Sequence, residues 1–297
     1  MENSSRISLT HEQRTAEEPR EHDVESVTLT HIREINDKIR LLRLTAEDPD
    51  HSIKFLPGQW LDTFLPGLPH AGGFTITSTP KEAMPRHLSL PYVELAVQKS
   101  ENISAQWLWR PEEDILGSQI SIRVGGSFTW PPPKLEVDKI DRLVLIAGGV
   151  GINPLMSIFS HLISATRRPR EIHFLYSTKL GSVIDPQRIL FLPRLMDLIS
   201  AAADPNVTLR LFLTDVCDNW IPELDRFPNN TFIRRIETHD LLAAVDGYQK
   251  RLCTQGYIRE KTVCYVCGPA KMTDDIVKFL KDQEGISEDR VLCEKWW

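Results

Sequence analysis

Apolar and polar positions fall into two regimes along the 297 residues, and the change comes near residue 133. Before it, short apolar runs are broken by turn residues. The runs at 27–30, 38–45, 60–65, 92–98 and 120–124 read as strands, with 88–90 as a further candidate. Pro57-Gly58, Pro66-Gly67 and Gly125-Gly126 are turn signals. One helix, at about 105–109, fits between them. Strands at this spacing predict a small antiparallel barrel or sandwich. Pro131, Pro132 and Pro133 then form a stiff connector.

After the prolines the pattern alternates. Strands are predicted at 143–147, 171–176, 207–213, 262–267 and 290–293. Helices are predicted at 154–165, 186–203, 238–245 and 270–282. Alternation of this kind means right-handed βαβ units and a parallel sheet, with ligands beyond the carboxyl ends of the strands. The domains expected are a disordered tail over 1–23, a barrel over 24–134 and an α/β domain over 135–297.

The stretch 143–159 carries the strongest chemistry. A buried strand runs into Gly148, Gly149, Val150, Gly151 and Ile152, and a helix-period pattern follows. Asn153 suits the N-cap and Pro154 the first helical position. Glycines admit a ligand to the backbone, and a helix start offers free N–H groups. That describes a pyrophosphate cradle for a dinucleotide. It equally describes an ordinary strand-to-helix turn, because Pro154 replaces the third glycine of the usual fingerprint.

The edge rule sorts the other candidates. Glu171 lies at the start of its strand, the wrong edge, and reads as a solvated charge. Ser177, Thr178 and Lys179 lie at the ligand edge and suit a ribose or a phosphate. Cys267, Gly268 and Pro269 end another strand at that edge. Cys264 and Cys267 form a C-x-x-C, but positions three apart on a strand face opposite sides. No second pair completes a zinc site, so no metal is expected. No histidine pattern activates Cys267 or a serine. In the first half, Gly72-Gly73-Phe74-Thr75-Ile76-Thr77-Ser78 is either a plain strand or an aromatic and hydroxyls set against a ring system. Ser104 is either a phosphate-facing helix cap or the cap of a surface helix.

Composition narrows the class. The net charge is −6, from 35 basic and 41 acidic side chains. The first 25 residues alone hold three arginines and seven acids. No basic face for nucleic acid is visible, and no apolar run reaches the roughly 18 residues of a membrane span. Five cysteines suggest a reducing compartment. No secretory h-region is present, and the acids in the tail argue against a transit peptide. Cytoplasm is the expected compartment, with the mitochondrion as alternative.

Three motifs in order carry a resemblance: Pro57-Gly58-Gln59, then Gly148 to Pro154, then Cys267-Gly268-Pro269. Together they resemble the ferredoxin–NADP reductase superfamily over about 24–297. The end Glu294-Lys295-Trp296-Trp297, with 72–78 and Arg123 to Gly126, is most similar to its oxidoreductase NAD-binding domain-containing group. The resemblance implies a six-stranded antiparallel FAD-binding barrel followed by an NAD(P)-binding α/β domain. It implies hydride transfer from NAD(P)H to FAD and electron delivery to a further acceptor, which includes an acceptor protein. It places Cys267 beside the nicotinamide as the catalytic residue and Trp297 on the flavin. A non-catalytic NAD(H) sensor or partner subunit is the alternative, because the flavin motif R-x-Y-S-x-x-S/T is degenerate here. Gly72 stands at its arginine, Phe74 at its tyrosine and Thr75 at its first serine; Ser78 matches. Glu101 stands where members often have glycine. FAD binding is then weakened unless Lys99 or Arg123 substitutes. NADH is the default donor.

Overall fold

The computed structural model describes residues 9–87, 89–180, 185–216, 226–247 and 259–295. By packing they form two compact units. The first holds the residues up to Trp130 with Met156–His161, and the second holds Pro131–Leu155 and the residues from Leu162.

The first unit is built on one antiparallel sheet of six strands: β1 (Glu25–Asn36), β2 (Ile39–Ala46), β3 (Trp60–Phe64), β4 (Gly72–Thr75), β5 (Tyr92–Gln98) and β6 (Gln119–Gly125). Their order is β4-β3-β6-β1-β2-β5. The sheet curls until its two end strands nearly meet. They touch at a single bridge, Ile76 opposite Leu95, and Thr77 N–H donates to the Glu94 carbonyl at 2.8 Å. Alternate residues, among them Val27, Leu29, Leu42, Leu44, Leu61, Val93 and Leu95, fill the interior. The stretch 88–90 adds no strand: Ser89 makes only an isolated bridge to Arg86, and Leu88 lies outside the described residues.

The expected disordered tail needs correction from residue 9 onward. His11–Arg14 form a helical turn closed by a reciprocal Thr10–Gln13 capping box. Beyond it Arg20 bridges to Gly125, and the Arg20 Nε donates to the Asp62 carboxylate at 2.8 Å. The polar composition that suggested disorder is what this segment needs, because it packs through ion pairs and caps instead of apolar side chains.

The second unit holds a parallel sheet: β7 (Arg142–Gly148), β8 (Glu171–Lys179), β9 (Val207–Thr214), β10 (Thr231–Phe232), β11 (Thr262–Cys267) and β12 (Val291–Glu294). The order is β10-β9-β8-β7-β11-β12. Helices Ile152–Ser164, Leu192–Ala202, Thr238–Asp246 and Ala270–Lys281 alternate with the strands. From β7 the chain winds outward to β10, then returns to β11 on the other side of β7. The topology therefore switches direction beside β7, which is where α/β sheets place ligands.

Two helix boundaries differ from the sequence reading. The helix expected over 186–203 is broken into a 3-10 turn, Pro186–Arg188, and the helix Leu192–Ala202. Phe191 between them has φ 59°, in the left-handed region, and a proline follows within the first two helical positions. The helix expected from 154 starts at Ile152, directly from a 3-10 turn at Gly149–Gly151. Asn153 and Pro154 are thus in the first helical turn, not at the cap. Proline is tolerated there because its amide has no partner to lose.

Candidate functional site

Register aligns the carboxyl ends of the parallel strands. Gly148 lies opposite Ser177, Ala147 opposite Cys267, and Cys267 opposite Glu294. The two loops that leave β7 and β11 are pressed backbone to backbone. A Cβ on Gly151 would stand 2.3 Å from the Cys267 carbonyl oxygen. One on Gly148 would stand 2.7 Å from Pro269 and 2.6 Å from the Met272 sulfur, and one on Gly268 would stand 3.0 Å from the Gly148 Cα. Three of these glycines are therefore explained by loop-to-loop packing. Gly149 is different. Its φ is +54°, and nothing lies within 4 Å of where its Cβ would be. It is the glycine of this turn over which the space is open.

The exposure pattern agrees. Gly148, Gly151, Ile152, Asn153 and Pro154 are buried; Gly149, Val150, Ser177, Thr178 and Gly268 are half-buried; Lys179 and Pro269 are exposed. The Lys179 Nζ is 3.0 Å from the Asp215 carboxylate, a residue of the next strand's end with φ 60°. Cys267 is 1 % exposed. Burial, with the nearby Glu294 and Cys293, pushes its thiol well above the ordinary cysteine range, so it stays a neutral SH at neutral pH. Cys264 faces the apolar core and is pushed up to about 12 by burial. Glu294 was not singled out from the sequence. Its signal was its place, one residue beyond the strand expected over 290–293; it is in fact the last residue of β12, at the ligand edge.

Glu171 belongs to the opposite edge. Its Oε2 accepts from Arg142 Nη2 at 2.7 Å and Nε at 3.0 Å, and His173 Nε2 is 3.5 Å away. The His173 bond is the largest influence on its carboxyl. Together with Arg142 it outweighs burial and lowers the group from 4.5 to about 2. Burial in turn lowers His173. This cluster ties β7 to β8 and is structural.

In the first unit the candidates are mostly enclosed. Phe74 is half-buried, while Thr75, Ile76, Thr77 and Ser78 are buried. The Thr77 hydroxyl donates to the Glu94 carbonyl or to its carboxylate, each at 3.0 Å, and Ser78 Oγ accepts from Glu94 N–H at 3.0 Å. Glu94, buried in β5, thus engages both hydroxyls. Ser104 is not the helix cap. Asn102 caps Ile103–Leu108, and its Oδ1 accepts from the N–H groups of Ser104 and Ala105 at 2.9 and 3.2 Å. Asn102 holds the cap because its backbone is still extended, whereas Ser104 is already the second helical residue.

Glycines shape this region too, in the reverse sense. A Cβ on Gly72 would stand 2.4 Å from Ser104 Cβ, and one on Gly73 would lie 2.1 Å from the His11 ring. His11 is itself 3.2 Å from the Asp62 carboxylate and meets the Trp60 ring edge-on at 4.7 Å. Arg123 donates to Asp62 at 2.7 and 2.9 Å. Burial opposes the Asp62 charge, but bonds from His11, Arg20 and Arg123 outweigh it and hold the carboxyl far below the usual range. Arg123 is therefore engaged, and Lys99 lies over the Trp109 ring at 5.5 Å. Among the described residues around β4, no unengaged cation faces the place of the family arginine, and Phe74 is half-buried against the apolar interior. Trp297 lies outside the described residues. Among the described residues no group of acids, cysteines or histidines is arranged for a metal ion.

Comparison with known proteins settles the family. Oxidoreductase NAD-binding domain-containing protein 1 of Danio rerio is 32 % identical over 99 % of this chain and 100 % of its own length. This chain belongs to the oxidoreductase NAD-binding domain-containing protein family. The ferric reductase NAD binding domain family matches residues 140–239 of this chain, a span that includes β7, β8 and the glycine turn. Solved structures share its fold. The CS-b5R domains of human Ncb5or, in the NAD+ form, superpose with a TM-score of 0.66 at 17 % identity, over 91 % of this chain and 69 % of that one. A ferredoxin NADP+ reductase from Neisseria gonorrhoeae with bound FAD and NADP gives 0.63 at 14 %, over 92 % and 99 %. This family member therefore has the two-domain reductase fold.

Proposed function

We propose that this protein is an NAD(P)H-dependent flavin oxidoreductase that passes electrons to a further acceptor. One observation carries the reading. At the topological switch of the parallel sheet, two loops are packed by Gly148, Gly151 and Gly268, and Gly149 alone faces open space. Backbone amides at the start of helix Ile152–Ser164 then receive the pyrophosphate. Ser177 and Thr178 supply hydroxyls to the ribose. Cys267 presents a small neutral thiol to the nicotinamide and excludes water there. Glu294, opposite it in register, adds a carboxylate to the same edge. A flavin supplies the hydride acceptor. Trp297 is proposed as its stacking partner. The naming of the relatives as oxidoreductases supports an enzyme over a sensor.

NADH is the proposed donor. Asp215 beside Lys179 can accept a bond from a ribose 2′-hydroxyl and repels a 2′-phosphate. Asp215→Ala is expected to raise kcat/KM for NADPH about fivefold or more and to lower that for NADH, a shift of roughly 1 kcal/mol. Unchanged preference would assign the pair to the surface alone. The whole reading is tested by adding NADH anaerobically to the purified protein with flavin and following the visible flavin band. Bleaching supports it; an unchanged band with FAD, FMN and riboflavin overturns it.

A further inference from the structure

The region that should hold a flavin diphosphate offers no space at the arginine position and little uncommitted charge. At Gly72, where the family arginine stands, any side chain meets Ser104 Cβ at 2.4 Å and Oγ at 2.7 Å. The neighbouring helix has six residues, and two of its first amides already donate to Asn102 Oδ1. Just ahead of that cap, the exposed Glu101 adds a negative charge. The replacement cations already have partners. Arg123 is held by the fully buried Asp62, which also binds Arg20, and Lys99 lies over Trp109. A diphosphate needs several charge-assisted donors to repay its lost hydration. The ring side is different. Phe74 is half-buried on β4, one side of it packed on the apolar interior and the rest of the ring open, and β4 is an end strand whose backbone pairs along one side with β3.

We infer that this protein takes flavin by its ring and leaves the diphosphate in water, so that riboflavin, FMN and FAD serve alike as dissociable substrates. The inference rests on the flavin reading above and names its substrate class. The overall step is balanced. NADH gives up a hydride, the flavin takes it together with one proton from water, and NAD+ and dihydroflavin are released. The further acceptor then draws its electrons from the released dihydroflavin.

The test uses the full chain, purified without added flavin. Equilibrium dialysis measures the binding of riboflavin, FMN and FAD, and anaerobic NADH oxidation uses each as acceptor. The expected result is a protein that purifies without flavin and binds the three with dissociation constants within about tenfold of one another. FAD that copurifies, or that binds more than about tenfold tighter than riboflavin, overturns the inference. If none of the three binds, there is no ring site and the inference also falls. If all bind alike and none is reduced, the oxidoreductase reading falls while the inference about binding stands. Glu101→Lys adds a second measure. It is expected to tighten FAD severalfold and leave riboflavin unchanged, more so at low salt. An equal change for riboflavin, or none for FAD, overturns the inference.

Discussion

Glycines crowd two regions of this protein, and they do opposite things. At the carboxyl edge of the parallel sheet, Gly148, Gly151 and Gly268 let two backbones touch and leave the space over Gly149 open. On β4, Gly72 and Gly73 let Ser104 and His11 move in until that space is filled. A glycine in a sequence signals close approach, but it does not say whether the approaching atoms belong to a ligand or to the protein. The obstacle is also different in kind. Beside Gly151 it is a carbonyl of the chain, which can retreat only with its strand. Beside Gly72 and Gly73 it is a side chain.

The largest effect is expected from removing the anchor of the filled region. Asp62→Ala leaves His11, Arg20 and Arg123 without their shared carboxylate, and should cost about 3–5 kcal/mol in urea unfolding. The depressed Asp62 pKa means its contribution is present above the ordinary carboxylate value of roughly 4 and lost as pH falls below it. The gap between wild type and variant should therefore narrow in acid; a gap that widens would mean the carboxylate does not stabilise this segment. Gly151→Ala comes next, at about 3 kcal/mol, because the Cys267 carbonyl must shift. An unfolding midpoint unchanged by that substitution would show that the loops are not in contact.

Gly72→Ala should cost about 1–2 kcal/mol, and adding Ser104→Gly should restore most of it, since the two atoms compete for one place. Strict additivity of the two changes would break the comparison. Gly149→Ala is expected to have the smallest effect on stability, about 1 kcal/mol for its left-handed backbone. Its signature is functional: NADH affinity falls about tenfold or more while the fold persists. Loss of stability with NADH affinity intact would reverse the assignment of open and filled.

The parallel sheet was largely legible in the chain. Runs such as 143–147 are continuous and apolar because both faces are buried, and the strand and helix periods separate cleanly there. The edge rule also placed Ser177 and Cys267 together and set Glu171 apart, as the register shows. The helix break before Leu192 was less legible, since Phe191 adopts a backbone that its side chain does not announce. The polar anchoring was not legible at all. His11, Arg20 and Arg123 lie 51, 42 and 61 residues from Asp62, and ion pairs at such separations leave no periodic trace. For the same reason Glu94 was passed over, although it engages both hydroxyls of 77 and 78.

The segment 9–21 has a consequence for solubility. The stretch 72–78 is uncharged, β-prone and free of proline, and it begins on an end strand, the composition that recruits a second chain edge to edge. His11 lies against it from the N-terminal side and Ser104 from the short helix. Those contacts cover both faces of the strand and leave a second chain that pairs at its edge little surface to pack on. Removing residues up to 21 should therefore be felt first as self-association on gentle warming, well before the sheets themselves melt.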